Sequence, residues 1–151
     1  MRRSHIYMIA MIAVMAAWAG PVGMAQRVNS VQEFTQGMKI IGASVSAANK
    51  AIGSSVYPDA KAQLVLARQM LASMVPFWRE HKVDAAAEMA KSAVGRLDAL
   101  DKALSAEPVD SAAAADAFKQ VIAACAACHS AYREGDQQTG YRFKEGVITS
   151  R

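Results

Sequence analysis

Cys125-Ala126-Ala127-Cys128-His129 is the part of this chain whose residue types and spacing can do chemistry. The two cysteines are the only ones among 151 residues. Side chains three and four residues apart share one face of a helix. Two thiols so placed can add to the two vinyl groups of one porphyrin and form thioethers. His129, four residues after Cys125, can then bring an imidazole nitrogen to the iron. Ala126 and Ala127 leave the approach unobstructed. C-x-x-C-H is the attachment signature of c-type haem. Three other chemistries fit less of the pattern. A disulfide between Cys125 and Cys128 would leave His129 without a role. A zinc site normally takes four ligands, and two cysteines with one local histidine fall short. A thioredoxin-type centre needs a βαβ setting, which this sequence lacks.

The elements that must position these residues read as helices. The chain after residue 25 is rich in Ala, Leu, Lys, Glu and Gln, good helix formers, and strand-like alternation is absent. Turn signals near 53–58, 81–84 and 105–111 divide it into four segments. The first spans about 31–52, with Ser30 and Glu33 as a capping box. Its stripe is Val31, Phe34, Met38, Ile41, Val45, Ala48 and Ile52, and Gly53 stops it. The second spans about 59–80 with Leu64, Ala67, Leu71, Met74 and Trp78, and Pro76 should kink it. The third runs from Asp84, read as the N-cap, to Leu104, with Ala86, Ala90, Ala93, Leu97, Leu100 and Leu104 inward. Its early alanines either pack closely or leave space for a bulky guest. The fourth runs from about Asp110 to Glu134, with Gly135 as its stop. Phe118, Val121, Cys125, Cys128 and Tyr132 form its stripe, so both cysteines face inward. The expected fold is all-α, an antiparallel four-helix bundle. Residues from about 136 onward read as an irregular surface tail.

The start of the chain reads as an export signal. Arg2 and Arg3 precede an apolar stretch, Ile6 to Ala19, too short to span a membrane. Small residues follow, and the expected cut lies after Ala25. Removing residues 1–25 leaves 126 of the 151, enough for one core. The signal holds two of the 17 basic and none of the 13 acidic residues, so the exported chain carries a net charge of +2. No basic stripe with interleaved aromatics points to nucleic acid. Neither a nucleophile with a paired base nor a Gly-rich phosphate loop is visible, so the chain is not read as an enzyme. The expected location is the periplasm, where haem is attached to such proteins.

The segment Cys125-Ala-Ala-Cys-His-Ser-Ala-Tyr-Arg133 resembles the last helix of the class II cytochromes c, the family of cytochrome c prime and its low-spin relatives, which carry C-x-x-C-H-x-x-Y-R there. Met38-Lys-Ile-Ile-Gly42, Tyr57-Pro58 and Trp78 extend the resemblance over most of the exported chain. The resemblance implies a left-handed bundle, one haem c on Cys125 and Cys128, His129 as the proximal iron ligand, and often a homodimer through the first two helices. One departure stands out. The family often has an arginine about four residues before the Met38 position, in contact with a haem propionate, and this chain has Phe34.

The resemblance also places Met38 at the distal haem position. There a coordinating methionine would make the iron six-coordinate and raise its reduction potential. Met38 is therefore read as the sixth ligand, and the chain as an electron carrier between exported or membrane-bound redox proteins. The alternative is a five-coordinate haem protein that binds nitric oxide or carbon monoxide, with Met38 as packing. Met70, Met74 and Met89 are read as packing residues, and His81 as a solvated histidine at a helix end. Arg133 lies one turn after His129, either near the haem or in solvent.

Overall fold

The computed structural model describes residues 27–148. The expected export segment 1–25, its expected cut after Ala25 and His5 lie outside the described residues. Among the described residues five helices follow one another: α1 Val31–Gly53, α2 Tyr57–Ser73, α3 Val75–Glu80, α4 Asp84–Ala103 and α5 Ser111–Tyr132. Two two-residue strands follow, β1 Arg133–Glu134 and β2 Arg142–Phe143. The fold is all-α apart from this strand pair. No helix among the described residues is long and apolar enough to cross a membrane.

Local chemistry sets the helix starts. Ser30 caps α1 by accepting from the Glu33 amide at 3.1 Å, while the Glu33 carboxylate accepts from the amide of Asn29. The box therefore closes one residue earlier than the sequence pattern indicates. Asp110 caps α5, its carboxylate accepting from the Ala112 and Ala113 amides at 2.9 and 3.1 Å. Asp84 does not cap α4. Val83 occupies that position, and Asp84 sits in the first turn, where a carboxylate still favours the helix N-terminus. The expected single helix over 59–80 is two. Pro76 cannot donate to the preceding turn, so α2 ends at Ser73 and α3 starts afresh at Val75 after a turn at Met74. The re-aimed α3 drives Phe77 and Trp78 inward, to 0% and 2% exposure.

The inward stripes of α2 to α4 are all buried: Leu64, Ala67, Leu71, Met74 and Trp78, then Ala86, Ala90, Ala93, Leu97, Leu100 and Leu104. Helix α1 packs on α2, α4 on α5, and α2 and α3 both pack on α4. On α1, Gly37 lets Met70 and Met74 approach the backbone; a Cβ there would collide with the Met74 methyl group. That contact, on the α2 side of α1, occupies both methionines.

Residues after α5 are more ordered than an irregular tail. The helix ends at Tyr132, two residues short of the expected Glu134, because Arg133 turns extended and pairs with Phe143. Gly135, at φ +83°, makes the turn, where a Cβ would strike the Gly140 carbonyl. The Lys144 amide donates to the Tyr132 carbonyl at 3.0 Å, and its ammonium donates to the Ser130 carbonyl at 2.6 Å. Arg133 stacks over Tyr141 at 4.0 Å. This hairpin carries Phe143 onto Phe34, Trp78 and Phe77, at ring distances of 5.0, 5.3 and 6.1 Å.

Asp136 fixes the hairpin loop. Its carboxylate accepts from the Thr139 amide and hydroxyl and from the Gln138 amide, which holds its pKa below the ordinary 3.8. Its stabilising effect is present above the unfolded value near 3.8 and is lost as pH falls through the lower folded value. Protection of the Gln138 and Thr139 amides, relative to their intrinsic exchange rates, should therefore fall as pH drops through the lowered Asp136 value, and Asp136→Ala should lack that protection at neutral pH. Exchange in Asp136→Ala that matches the unaltered protein at neutral pH would exclude this role.

Candidate functional site

The cysteines, His129 and Met38 meet at one cavity of about 530 Å3 between α1 and α5. Helix α1 contributes Met38, Ile41, Gly42, Val45, Ser46 and Asn49 to its wall. Helix α5 contributes Phe118, Ile122, Ala124, Cys125, Cys128 and His129. Leu71, Trp78, Met89, Ala90 and Ala93 complete the lining from α2, α3 and α4. The volume lies inside the roughly 300–1,000 Å3 range of cofactor and small-molecule pockets.

Helical periodicity explains the gathering. On α5 the stripe Phe118, Cys125, Cys128 and Tyr132 is only half-buried, while Val121 within it is 1% exposed. Phe118, Cys125 and Cys128 line the cavity, whereas Tyr132 packs on Trp78. The alanines of α4 divide between the two uses expected of them. Ala86 and Ala87 are packed away at 0% and 1% exposure, whereas Ala90 and Ala93 form part of the cavity wall. Their missing side-chain volume is part of the space.

An aromatic cluster closes the end of the cavity where Trp78 lies. Trp78 lines the cavity and also touches Phe34, Phe77, Phe143 and Tyr132 at ring distances of 5.1 to 5.7 Å. Phe34, where an arginine would match the family pattern, is 5% exposed inside this cluster. A guanidinium there would meet aromatic neighbours and no acid.

The electrostatics suit ligation by neutral donors. Burial, with a smaller contribution from the Arg133 charge, lowers the His129 pKa, so its imidazole is neutral at neutral pH and keeps a lone pair for a metal. Burial raises both thiol pKa values, and for Cys128 the nearby Cys125 adds to it. Both cysteines stay protonated and weakly nucleophilic without an outside activator.

Of the other methionines, Met70 and Met74 line no part of this cavity, and Met89 does. His81 lies on α3's end, its Nδ1 2.8 Å from the Phe77 carbonyl and its ring 4.3 Å from that of Phe77. Arg133 lines a shallower groove on the outer side of α5 with Ile122, Ala126 and His129. Ile122, Gly42, Ser46 and Asn49 fall outside the apolar stripes that the sequence shows. Ile122, Gly42 and Asn49 each lie three or four residues from a stripe member, Ser46 lies four residues after Gly42, and all four are exposed. Among the described residues no three His, Cys, Asp or Glu side chains gather as a metal cage would require.

No family model, no curated protein and no solved structure matches the chain. The resemblance to class II cytochromes c therefore rests on the quoted residues alone.

Proposed function

We propose that the protein is an exported class II c-type cytochrome, an antiparallel, left-handed four-helix bundle that carries single electrons between redox proteins. The observation that supports this reading most is the shared cavity. Two thiols, a neutral imidazole and a thioether from residues far apart in sequence line one largely apolar space of about 530 Å3. That donor set fits one haem, held by thioethers from Cys125 and Cys128 and ligated by His129. Once bound, haem supplies one-electron redox chemistry at its iron.

The chain's residues set the conditions. His129 offers its neutral nitrogen from α5. Met38 offers a thioether sulfur from α1, a soft sixth ligand that favours the reduced metal. Ile41, Val45, Leu71, Trp78 and Phe118 exclude water from the cavity, which strengthens ligation and limits side reactions. Ala90 and Ala93 make room. The disulfide reading uses neither this cavity nor His129.

The gas-binding reading differs only in Met38, which lines the cavity and is half-buried. The test is the absorption spectrum of the reduced protein, with and without carbon monoxide. Ligation by Met38 gives sharp low-spin bands that the gas leaves unchanged. Met38→Ala should convert them to a high-spin spectrum that shifts on adding carbon monoxide. A high-spin, gas-sensitive spectrum in the unaltered protein would replace electron transfer with gas binding as the reading.

A further inference from the structure

The cavity opens to solvent between α1 and α5. Gly42, Ser46, Asn49 and Ile122 line it and are exposed, Ile122 by 45%. No Asp, Glu, Lys or Arg occurs from Ile40 to Asn49 on α1 or from Gln120 to Ala131 on α5. Both walls of the mouth are thus uncharged for about three turns each. Charged residues begin at the borders, and those that share the mouth's face are cations. Lys39 and Lys50 stand seven and four residues from Ser46, on its side of α1. Lys119 stands three residues from Ile122, on its side of α5, and Arg133 lies with Ile122 in the groove beside it. Each of the two helices has one acid. Glu33 is held at the start of α1 by the Asn29 and Ser30 cap, and Asp116 pairs with Lys119. Lys39 and Lys50 form no ion pair among the described residues. Asp59, Asp84, Glu88, Asp98 and Asp101 lie on α2 and α4, whose exposed faces do not form the mouth, and of the acids beside Arg133, Glu134 pairs with Arg142 and Asp136 is held by the Gln138 and Thr139 amides.

Uncharged surface rimmed by charge marks a contact site, and a rim of one sign selects partners of the other. We propose that this mouth is the docking face for an acidic electron-transfer protein, one that presents an apolar patch within a ring of carboxylates. The proposal rests on the electron-carrier reading and adds the partner's chemistry and the place of contact. Lys39 and Lys50 steer the encounter, and Ile122 meets the partner's apolar centre.

The test oxidises the reduced holoprotein with two one-electron acceptors, anionic hexacyanoferrate(III) and cationic tris(phenanthroline)cobalt(III). In each case one electron leaves the protein and reduces one acceptor. The anion's rate constant should fall with salt. The double variant Lys39→Glu/Lys50→Glu should slow the anion by about fivefold or more at low salt and quicken the cation, as local steering requires. The control pair Arg96→Glu/Lys102→Glu, on the exposed face of α4 outside the mouth, makes the same change in net charge and should alter neither rate by more than about twofold, because screening confines the effect. Poly-L-glutamate should slow oxidation of the unaltered protein and not of the Lys39/Lys50 variant. Equal effects from the two pairs, or no effect of poly-L-glutamate, would overturn the proposal. So would binding to anionic phospholipid vesicles, or a dimer in sedimentation, that the Lys39/Lys50 changes abolish; the face would then belong to a membrane or a second copy. An exported chain without covalent haem would instead defeat the carrier reading, and this proposal with it.

Discussion

Phe34→Arg should destabilise the protein by at least about 3 kcal/mol. Truncating a buried phenylalanine alone costs about 3–5 kcal/mol, and an arginine adds a charge with no acid to receive it. The surroundings are specific. Phe34 lies 4.8 Å from Phe77, 5.1 Å from Trp78 and 5.0 Å from Phe143. Against a domain stability of about 5–15 kcal/mol this loss is large. Urea titration would register it as a lower midpoint at unchanged slope. The substitution is informative because arginine is what the family pattern calls for near this place. If Phe34→Arg stays within about 1 kcal/mol of the unaltered protein, the cluster is not core. The residue would then be a tolerated exchange, with its head group free to reach solvent.

Ala93→Leu should move stability and haem content in opposite directions. Ala93 is 5% exposed and lines the cavity. In the haem-free chain a leucine there fills apolar space, and cavity filling typically adds about 0.5–2 kcal/mol. In the haem-loaded chain the same side chain competes for volume. Overpacking costs about 1–3 kcal/mol, so a smaller share of exported chains should carry haem. The paired measurement is the thermal midpoint of the haem-free protein and the haem-to-protein ratio of the exported one. A space that is only a packing defect would give the gain without the loss. Ala87→Leu, at a position already closely packed, should lower stability in both states.

The sequence is most informative where one residue type recurs with helical spacing. Every residue of the α2 to α4 stripes is buried, because a 3-4 rhythm of apolar side chains has one way to leave water, while the buried Ala60, Phe77 and Ala87 lie outside those stripes. The motif at Cys125, Cys128 and His129 is equally legible, and the rhythm of the fourth stripe is enough to turn both thiols inward. Periodicity says which face is inside and not what that face meets. It does not decide which of Ala86, Ala90 and Ala93 pack and which line a cavity, since all three read alike. The break at Met74 is marked in the sequence only by Pro76, whose missing donor is compatible with a kink or a full stop. The hairpin escapes sequence reading because two-residue strands have no alternation to detect. Its signals are Gly135 and Gly140 at turn positions and a lone Phe143, whose partners come from α1 and α3. Phe34 reads in the sequence as an inward stripe member where the resemblance would have an arginine, and its burial among aromatic rings agrees with the stripe.

Covalent attachment at Cys125 and Cys128 is the claim on which the rest depends. The direct measurement is the mass of the chain exported from a host that attaches haem, taken after denaturation and acid-acetone extraction. One haem should stay with the chain through extraction and be absent from Cys125→Ala/Cys128→Ala. A bare polypeptide mass from that host, with haem-binding controls loaded in the same cells, would contradict it.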